Sequence, residues 1–194
     1  PSREHELWPR TDFRTLEGLL PTLDPFGRTP RARTIEDLPA PIAAEIGPGA
    51  SAGATLVQRN GDMVWEQGHE ALEKNGVIVC SMERALREHG ARLEATLDAM
   101  IESDYDGYVA MGAALRCGGA FVHVPDGVHA EVPVRILHWI DGAGRLVAPR
   151  SVISVGRGAS ITVVEEMSSE TAESPSFHLA GTEVFVVACA RLVY

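Results

Sequence analysis

The 194-residue sequence has few cysteines, fewer basic than acidic residues, and no long apolar run. The three cysteines, Cys80, Cys117 and Cys189, are odd in number, far apart and without C-x-x-C spacing, so neither a disulfide framework nor a zinc ribbon is indicated. The formal net charge is -10, with 27 acidic against 17 basic residues. Because a nucleic-acid-binding face must neutralise phosphates, this balance argues against nucleic acid as a partner.

The lack of an apolar run of roughly 20 residues argues against a membrane span, and the N-terminal "PSREHELWPR" is too charged for a signal peptide. With a hydrophobic content of 45%, the chain can bury a substantial core. We therefore expect a cytoplasmic globular protein. Position 1 is proline and the chain stops at Tyr194 inside the apolar run "EVFVVACARLVY", which predicts a fragment of a longer protein.

The first half of the chain predicts a mixture of helices and strands. Residues 2–20 are typical of two short helical pieces with Thr11 as an N-cap, and the proline-rich stretch 21–53 is typical of a connector. The segment "ATLVQRNGDMVWEQ" alternates about an Asn-Gly turn, which predicts a β-hairpin. The segment "NGVIVCSM" then predicts a buried strand that ends at Ser81 as a helix N-cap.

An amphipathic helix is predicted after Ser81. The segment "SMERALREHGARLEATLDAMIESD" repeats apolar side chains at helical spacings, at Met82, Leu86, Leu93, Leu97 and Met100 to Ile101. Gly90 interrupts this pattern, so a bend and two abutting helices are both possible. No helix of similar length is predicted after Asp104.

The second half contains a repeat with a constant period. Its copies are "FVHVPDGVHAEV" from Phe121, "VISVGRGASITV" from Val152 and "EVFVVACARLVY" from Glu183, and these equally spaced starts define the repeat period. The period aligns Val122 with Ile153 and Val184, Val124 with Val155 and Val186, Gly127 with Gly158 and Cys189, Ala130 with Ile161 and Leu192, and Val132 with Val163 and Tyr194. Each copy is a short apolar strand, a tight turn and a second apolar strand. A stacked parallel β-helix explains this best, and a two-sheet sandwich or cupin barrel is the alternative.

Histidines near the first turn are the strongest metal candidates. Imidazole and carboxylate groups from His123, His129 and Glu131 could form a three-ligand site with an open position. The strand parity is unfavourable, because His129 and Glu131 share a face while His123 lies across the turn and His138 falls on the opposite parity. We therefore predict no metal site, and keep a cupin-like metalloenzyme as the alternative.

Other catalytic arrangements are not indicated. The sequence has no G-x-S-x-G elbow and no cysteine in an activated setting. We expect Cys80 and Cys189 to be small core residues in apolar strands. The neighbours of Cys117 suggest accessibility, but a structural role is favoured for this cysteine as well. Glu165 and Glu166 are adjacent in a predicted strand, so they should point to opposite faces and cannot act as a carboxylate pair. No catalytic residue is predicted.

Five segments carry a resemblance to a known family. They are "REHELWPRTDFRTL", "LEKNGVIVCSMERALREHGARLEATL", "DGYVAMGAAL", "GGAFVHVPDGVHAEVPVRILHW" and "PRSVISVGRGASITVVEE". In this order they resemble the SufB/SufD family of iron-sulfur cluster assembly proteins, most strongly from Gly107 to Glu166. The N-terminal segment and the pair His138 and Trp139 favour the SufD side. Three features depart from the family pattern: Asp126 replaces a usual lysine, Gly112 replaces a usual asparagine, and "VACARL" lacks a glycine in its turn.

The resemblance implies a mainly β fold, with a small α/β N-terminal domain at 1–105 followed by the first rungs of a right-handed parallel β-helix at 106–194. It also implies a non-catalytic scaffold role beside a SufC-type ATPase and a SufB/SufD-type partner that pairs through the β-helix, as a homo- or heterodimer. A transient iron-sulfur cluster and ATP on the SufC partner are the implied cofactors, with none assigned to residues of this chain. An unrelated β-solenoid interaction module is a further alternative. We expect unpaired strand edges near Val184, Val186 and Leu192 to favour self-association.

Overall fold

A computed structural model describes residues 28–47, 53–103, 105–170 and 175–194, together with Gly18. The helical pieces predicted in 2–20, including the Thr11 N-cap, otherwise lie outside the described residues, as does most of the glycine-rich stretch 47–53. The described protein is mainly β, with mixed sheets and few helices. No helix in these ranges is long and apolar enough to cross a membrane.

The elements follow one another in chain order. The helical ones are a 3₁₀ turn at Ile35–Asp37, α1 (Ala40–Ile46), α2 (Glu70–Lys74), α3 (Met82–Glu88), α4 (Gly90–Glu94) and α5 (Gly107–Ala114). The strands are β1 (Ala54–Arg59), β2 (Asp62–Gln67), β3 (Ile78–Ser81), β4 (Ala120–Val124), β5 (Val134–Ile140), β6 (Leu146–Val147), β7 (Arg150–Val155), β8 (Ser160–Ser169), β9 (Phe177–His178), β10 (Gly181–Val186) and β11 (Arg191–Val193).

The predicted hairpin and the predicted N-cap at Ser81 are both confirmed. Strands β1 and β2 pair antiparallel. Asn60 and Gly61 join them with φ angles of 52° and 89°, as the twisted two-residue hairpin turn requires. The Ser81 hydroxyl accepts the backbone N–H of Arg84 at 3.3 Å and so caps α3.

The predicted amphipathic helix is shorter than its apolar pattern. It divides at Gly90 into α3 and α4 and ends at Glu94, and Leu86 on its predicted apolar face is 56% exposed. Beyond α4, the backbone N–H groups of Asp98 and Met100 donate to the Glu183 carboxylate at 2.7 Å each. This contact with a distant strand takes the place of further helical hydrogen bonds.

Three helices, α1, α2 and α5, lie where none was predicted. Helix α1 falls within the proline-rich stretch 21–53, with Pro41 in its first turn, where a missing N–H costs nothing. Its Ile42 and Ile46 pack with Leu137 and other side chains from β1, β2 and β5. Helix α5 begins after Asp106, whose side chain accepts two N–H groups of the first turn. Its composition has no apolar stripe, so sequence periodicity could not indicate it.

The repeat period is visible as a parallel stacking of strands. Repeat 1 comprises β4, β5 and β6, repeat 2 comprises β7, β8 and β9, and repeat 3 comprises β10 and β11. Corresponding strands lie side by side and parallel in three sheets: sheet A with order β11-β8-β5-β1-β2, sheet B with order β10-β7-β4-β3, and sheet C with β6-β9. Val122, Ile153 and Val184 pair in register, which confirms the predicted alignment.

One predicted alignment is wrong. Val163 pairs with Val134 rather than with Val132, so the offset between β5 and β8 is shorter than the repeat period. Pro133 precedes β5, and because proline has no N–H it cannot donate to a ladder. The carbonyl of Pro133 accepts the N–H of Ala54 at 3.2 Å, and regular pairing of β5 begins at the next residue. The pairing of Leu146 with Phe177 restores the full period.

The strands of the first half extend the sheets of the second half. Strand β1 pairs parallel with β5, and β3 pairs antiparallel with β4. The largest apolar cluster therefore contains Leu56 and Val77 as well as Val122 and Ile153. The division at 105 and 106 stays a prediction, although two sheets continue across it.

Candidate functional site

The interior between the sheets changes from apolar to polar along the strands. In sheet A, register places Leu56, Ile136 and Glu165 in one cross-strand row and Gln58, His138 and Met167 in the next row on the same face. Leu56 and Ile136 belong to the apolar core. Glu165 therefore occupies, one repeat later, a position that earlier strands fill with hydrocarbon.

The Glu165 carboxylate is the centre of a buried hydrogen-bond network. His138 Nε2 lies 2.6 Å from Oε1, and the two side chains are 4% and 3% exposed. Ser151 Oγ donates to Oε1 at 3.4 Å, while Thr182 Oγ1 donates to Oε2 at 3.0 Å. The Tyr194 hydroxyl donates to Oε2 as well. We call Glu165, His138, Ser151 and Thr182, together with Gln58 and His178, the interior polar cluster. Tyr194, which is 62% exposed, contacts this cluster from the surface.

The network sets the protonation of its members. Burial by itself would raise the pKa of Glu165, but hydrogen bonds from His138, Tyr194 and Thr182 lower this pKa to about 2. An ionised carboxylate can only accept, so His138 donates through its Nε2–H. Burial, and then the hydrogen bond to Glu165, raises the pKa of the Tyr194 hydroxyl to about 12. The cluster thus holds a carboxylate anion in a buried setting.

Two further members have atoms without partners among the described residues. Gln58 Oε1 accepts the N–H of Gly119 at 2.9 Å, but its Nε2 is buried and unpaired. His178 Nε2 is also buried and unpaired, and its ring centroid lies 5.8 Å from that of His138. Burial and the neighbouring imidazole of His138 lower the pKa of His178 to about 4. These atoms leave hydrogen-bonding capacity for a water molecule or ligand.

Sequence reasoning missed this cluster, although part of it follows the period. Ser151 and Thr182 stand one and two periods after Ala120, and His178 stands one period after Val147. Extending the alignment over these positions would have shown small and apolar residues giving way to polar ones. Glu165 could not be found in that way, because its row has the shorter offset of β5 and β8.

The histidines predicted as metal candidates have other neighbours. His123 Nε2 lies 3.1 Å from Arg92 Nη1, and its ring stacks on that of Phe121 with centroids 6.4 Å apart. His129 Nδ1 lies 3.0 Å from Ser160 Oγ, and Glu131 is exposed. Within the described ranges, no three or more histidine, cysteine, aspartate or glutamate side chains are grouped so that they could hold a metal ion.

One of the three cysteine predictions needs correction. Cys80 is buried as expected, and burial raises its pKa to about 11. Cys189, expected in the core, is exposed at a corner with φ of 61°, where Gly127 and Gly158 stand in the earlier repeats. Cys117 is partly buried, and its Sγ accepts the N–H of Ala148 at 3.2 Å.

Two other sequence features find their place in the structure. Glu165 and Glu166 point to opposite faces as predicted, because Glu166 pairs with Arg135 outside the cluster. Arg135 also donates to the carbonyls of Glu45 and Ile46 at the end of α1. Asp126 accepts the backbone N–H of Arg157 at 2.7 Å, one period later, and thus links two successive corners. A lysine could not accept that hydrogen bond.

The family model described as the SufBD protein N-terminal region matches residues 52–136. This match covers less than half of the chain, which is similar to the SufBD family over these residues. The chain is 26% identical over 137 residues to an iron-sulfur cluster assembly SufBD family protein of Staphylococcus haemolyticus, covering 71% of this chain and 30% of the relative. A chloroplastic family protein of Arabidopsis thaliana is 25% identical over 64% of this chain and 22% of its own length. One of Mycobacterium bovis is 29% identical over 56% and 13%, respectively.

Proposed function

We propose that this chain is a member of the SufBD family and a non-catalytic scaffold component of the machinery that assembles iron-sulfur clusters. The observation that carries the proposal is the SufBD match across 52–136, and membership of this family supports a role in cluster assembly. The chain spans 30% or less of the length of these three relatives. The activity of a whole SufBD protein is therefore part of the proposal.

The proposal includes a fold, in which the three repeats are the first rungs of a right-handed parallel β-helix. The parallel pairing of β4 with β7 and of β7 with β10, of β5 with β8, and of β6 with β9 supports it. Strand-to-strand connections of this parallel type favour the right hand. Such a stack offers a rigid wall whose length grows by one row of strands per repeat, which suits a scaffold.

The proposed partners are a SufC-type ATPase and a SufB/SufD-type paralogue, with this chain on the SufD side of the pair. ATP would be bound by the ATPase, and the iron-sulfur cluster would be transient cargo. The interior polar cluster supports a structural role for its residues, since the Glu165 oxygens are already satisfied by four donors. A cytoplasmic location belongs to the same proposal.

The experiment is deletion of the encoding gene in its host. Cell extracts are then assayed for aconitase, which needs an iron-sulfur cluster, and for malate dehydrogenase, which does not. We expect the specific activity of aconitase to fall several-fold while malate dehydrogenase activity is unchanged, with recovery when the gene is restored on a plasmid. Equal aconitase activity in both strains under iron limitation would contradict the proposal.

A second measurement separates the scaffold from the cupin-like alternative. Purified protein is analysed for metals by mass spectrometry, alongside a variant with His123→Gln and His129→Gln. The scaffold proposal expects no stoichiometric metal ion in either sample. A stoichiometric ion that disappears in the double variant would favour the metalloenzyme instead.

A further inference from the structure

A pocket of about 250 Å³ lies beside the interior polar cluster. Its walls are α5, the loop after α4, and the connections from β6 to β7 and from β9 to β10. His178 belongs both to the cluster and to the pocket wall, and Arg116 and Arg150 line the wall as well. The pocket therefore joins the surface to the polar side of the interior.

The size of the pocket depends on a residue without a side chain. Gly112 lies in α5 and lines the pocket. A Cβ atom built on it would meet only Leu179, at 3.8 and 3.9 Å, which is ordinary contact distance. A larger side chain at position 112 would therefore extend into the open volume without displacing the backbone.

Three carboxylates around this pocket already accept hydrogen bonds, including Asp106, whose Oδ1 accepts the N–H groups of Tyr108 and Val109 at 2.8 Å each. Both oxygens of Asp98 accept from Arg116 Nη2, at 2.7 and 2.9 Å. Arg150 Nη2 donates to Asp98 at 3.2 Å and to the carbonyl of Ile101 at 3.1 Å. The Glu183 carboxylate is fully buried and accepts the backbone N–H groups of Asp98 and Met100.

Two side chains of the pocket wall, in contrast, have hydrogen-bond donors that are not in use. Arg116 makes its hydrogen bonds in the described part of the chain through Nη2 alone, which leaves Nε and Nη1 for another acceptor. His178 Nε2 is buried and has no partner within the described ranges. A wall with unused donors and occupied acceptors favours a ligand that accepts hydrogen bonds. The planar guanidinium of arginine matches carboxylate and phosphate oxygens in particular.

We propose that this pocket binds a small anion bearing a carboxylate or phosphate group, held by Arg116 and by His178 Nε2. Asp98 orients Arg116 through its two hydrogen bonds, so the guanidinium needs little ordering when the anion enters. Gly112 provides the room. The site is independent of the scaffold proposal, because it rests on residues of this chain and on no partner.

The test is a titration of the 194-residue chain, at constant ionic strength, with inorganic phosphate and separately with malonate. Binding is followed by calorimetry and by the NMR signals of the His178 imidazole. We expect saturable binding of at least one anion, with a shift of the His178 ring signals. The ratio of the two dissociation constants then tells whether the site prefers phosphate or carboxylate.

Three variants make the test specific. Arg116→Gln removes the proposed donor, and Gly112→Asn fills the pocket; each should weaken binding about tenfold or more, as expected for loss of a charge-assisted hydrogen bond. Gly90→Asn is the matched control, because Gly90 is also helical with open space around its Cβ position, and it should bind like the wild type. If Arg116→Gln does not fold, Gly112→Asn decides alone.

Absence of saturable binding would overturn the proposal. Binding that persists in Gly112→Asn, or binding that leaves the His178 signals unmoved, would place the anion elsewhere and would overturn it as well.

Discussion

The interior of the three repeats has an apolar half and a polar half that are built on the same strands. In the apolar half, Val122, Ile153 and Val184 stack in register. In the polar half, Ala120 is followed at the same position by Ser151 and Thr182, whose hydroxyls donate to Glu165. The same period therefore carries two kinds of stabilisation, one from packing and one from directed hydrogen bonds.

The difference teaches how each half should respond to change. An apolar stack tolerates substitutions that keep volume and is sensitive to any cavity. A buried polar network is sensitive to the loss of one partner, because the remaining groups lose both their hydrogen bond and water. The two halves can thus be distinguished by which substitutions destabilise them.

The largest effect is expected in the apolar half. Ile153→Ala removes a fully buried side chain between Val122 and Val184 and leaves a cavity that rigid strands cannot close. We expect the free energy of unfolding to fall by about 3–4 kcal/mol, measured by urea denaturation. Val164→Ala, on an exposed position of β8, is the control and should change it by less than about 1 kcal/mol. Equal losses in both variants would contradict the packing assignment.

A somewhat smaller loss is expected from the polar half. Glu165→Ala leaves His138, Thr182 and Tyr194 without their shared acceptor, so we expect the free energy of unfolding to fall by about 2–3 kcal/mol. Glu166→Gln provides the comparison, since its ion pair with Arg135 is partly exposed and should contribute about 0–1 kcal/mol.

A double variant distinguishes the network from simple filling. Replacing both His138 and Glu165 by leucine removes the charged pair together, and it should restore part of the loss seen in Glu165→Ala. If the double variant is less stable than Glu165→Ala, the polar half needs these particular hydrogen bonds. In that case, avoiding buried groups without a partner is not enough to keep it stable.

Acid should weaken the polar half before the apolar half. The pKa of Glu165 is lowered to about 2, so the unfolded chain takes up a proton first as the pH falls from about 4.5, and stability is lost toward pH 2. The pKa of His178 is lowered to about 4, so the unfolded chain also binds more protons between about pH 6.5 and 4, and stability falls there too. Urea midpoints measured across this range should decline in both windows.

Substitutions show which side chain causes the loss of stability in each of the two pH ranges. His178→Gln should flatten the decline between about pH 6.5 and 4 and leave the lower window, whereas Glu165→Gln should flatten the lower one. Ile153→Ala should reduce stability by a similar amount at each pH. A decline that all three variants share would trace the acid sensitivity to other groups.

The smallest effect is expected at the corners that join the first and second strands of each repeat. Cys189 has a φ of 61°, which suits glycine, and Gly127 and Gly158 fill the corresponding corners with φ of 73° and 64°. Cys189→Gly should therefore raise the free energy of unfolding by about 0.5–1 kcal/mol, and Gly158→Ala should lower it by a similar amount. A lower melting temperature for Cys189→Gly, or a higher one for Gly158→Ala, would contradict this explanation.

Local and periodic signals in the sequence were sufficient for much of the fold. The Asn60–Gly61 hairpin, the Ser81 cap and the periodic columns through Val122 and Val124 depend on near neighbours or on repetition, so they are visible without a structure. Helix α5 was not visible, because its residues have no apolar stripe and its stability comes from capping and packing. The amphipathic pattern after Ser81 overstated its helix, because the distant Glu183 binds the loop at Asp98 instead.

What the sequence alone determined is the period, the apolar strands, the tight turns and the resemblance to the SufBD family. These features follow from side-chain alternation, backbone preference at turns, and the order of motifs along one chain. What only the tertiary structure decided is the shortened offset between β5 and β8, and with it the burial of Glu165 against His138. That pairing depends on which strands become neighbours across three sheets, so no local pattern could specify it.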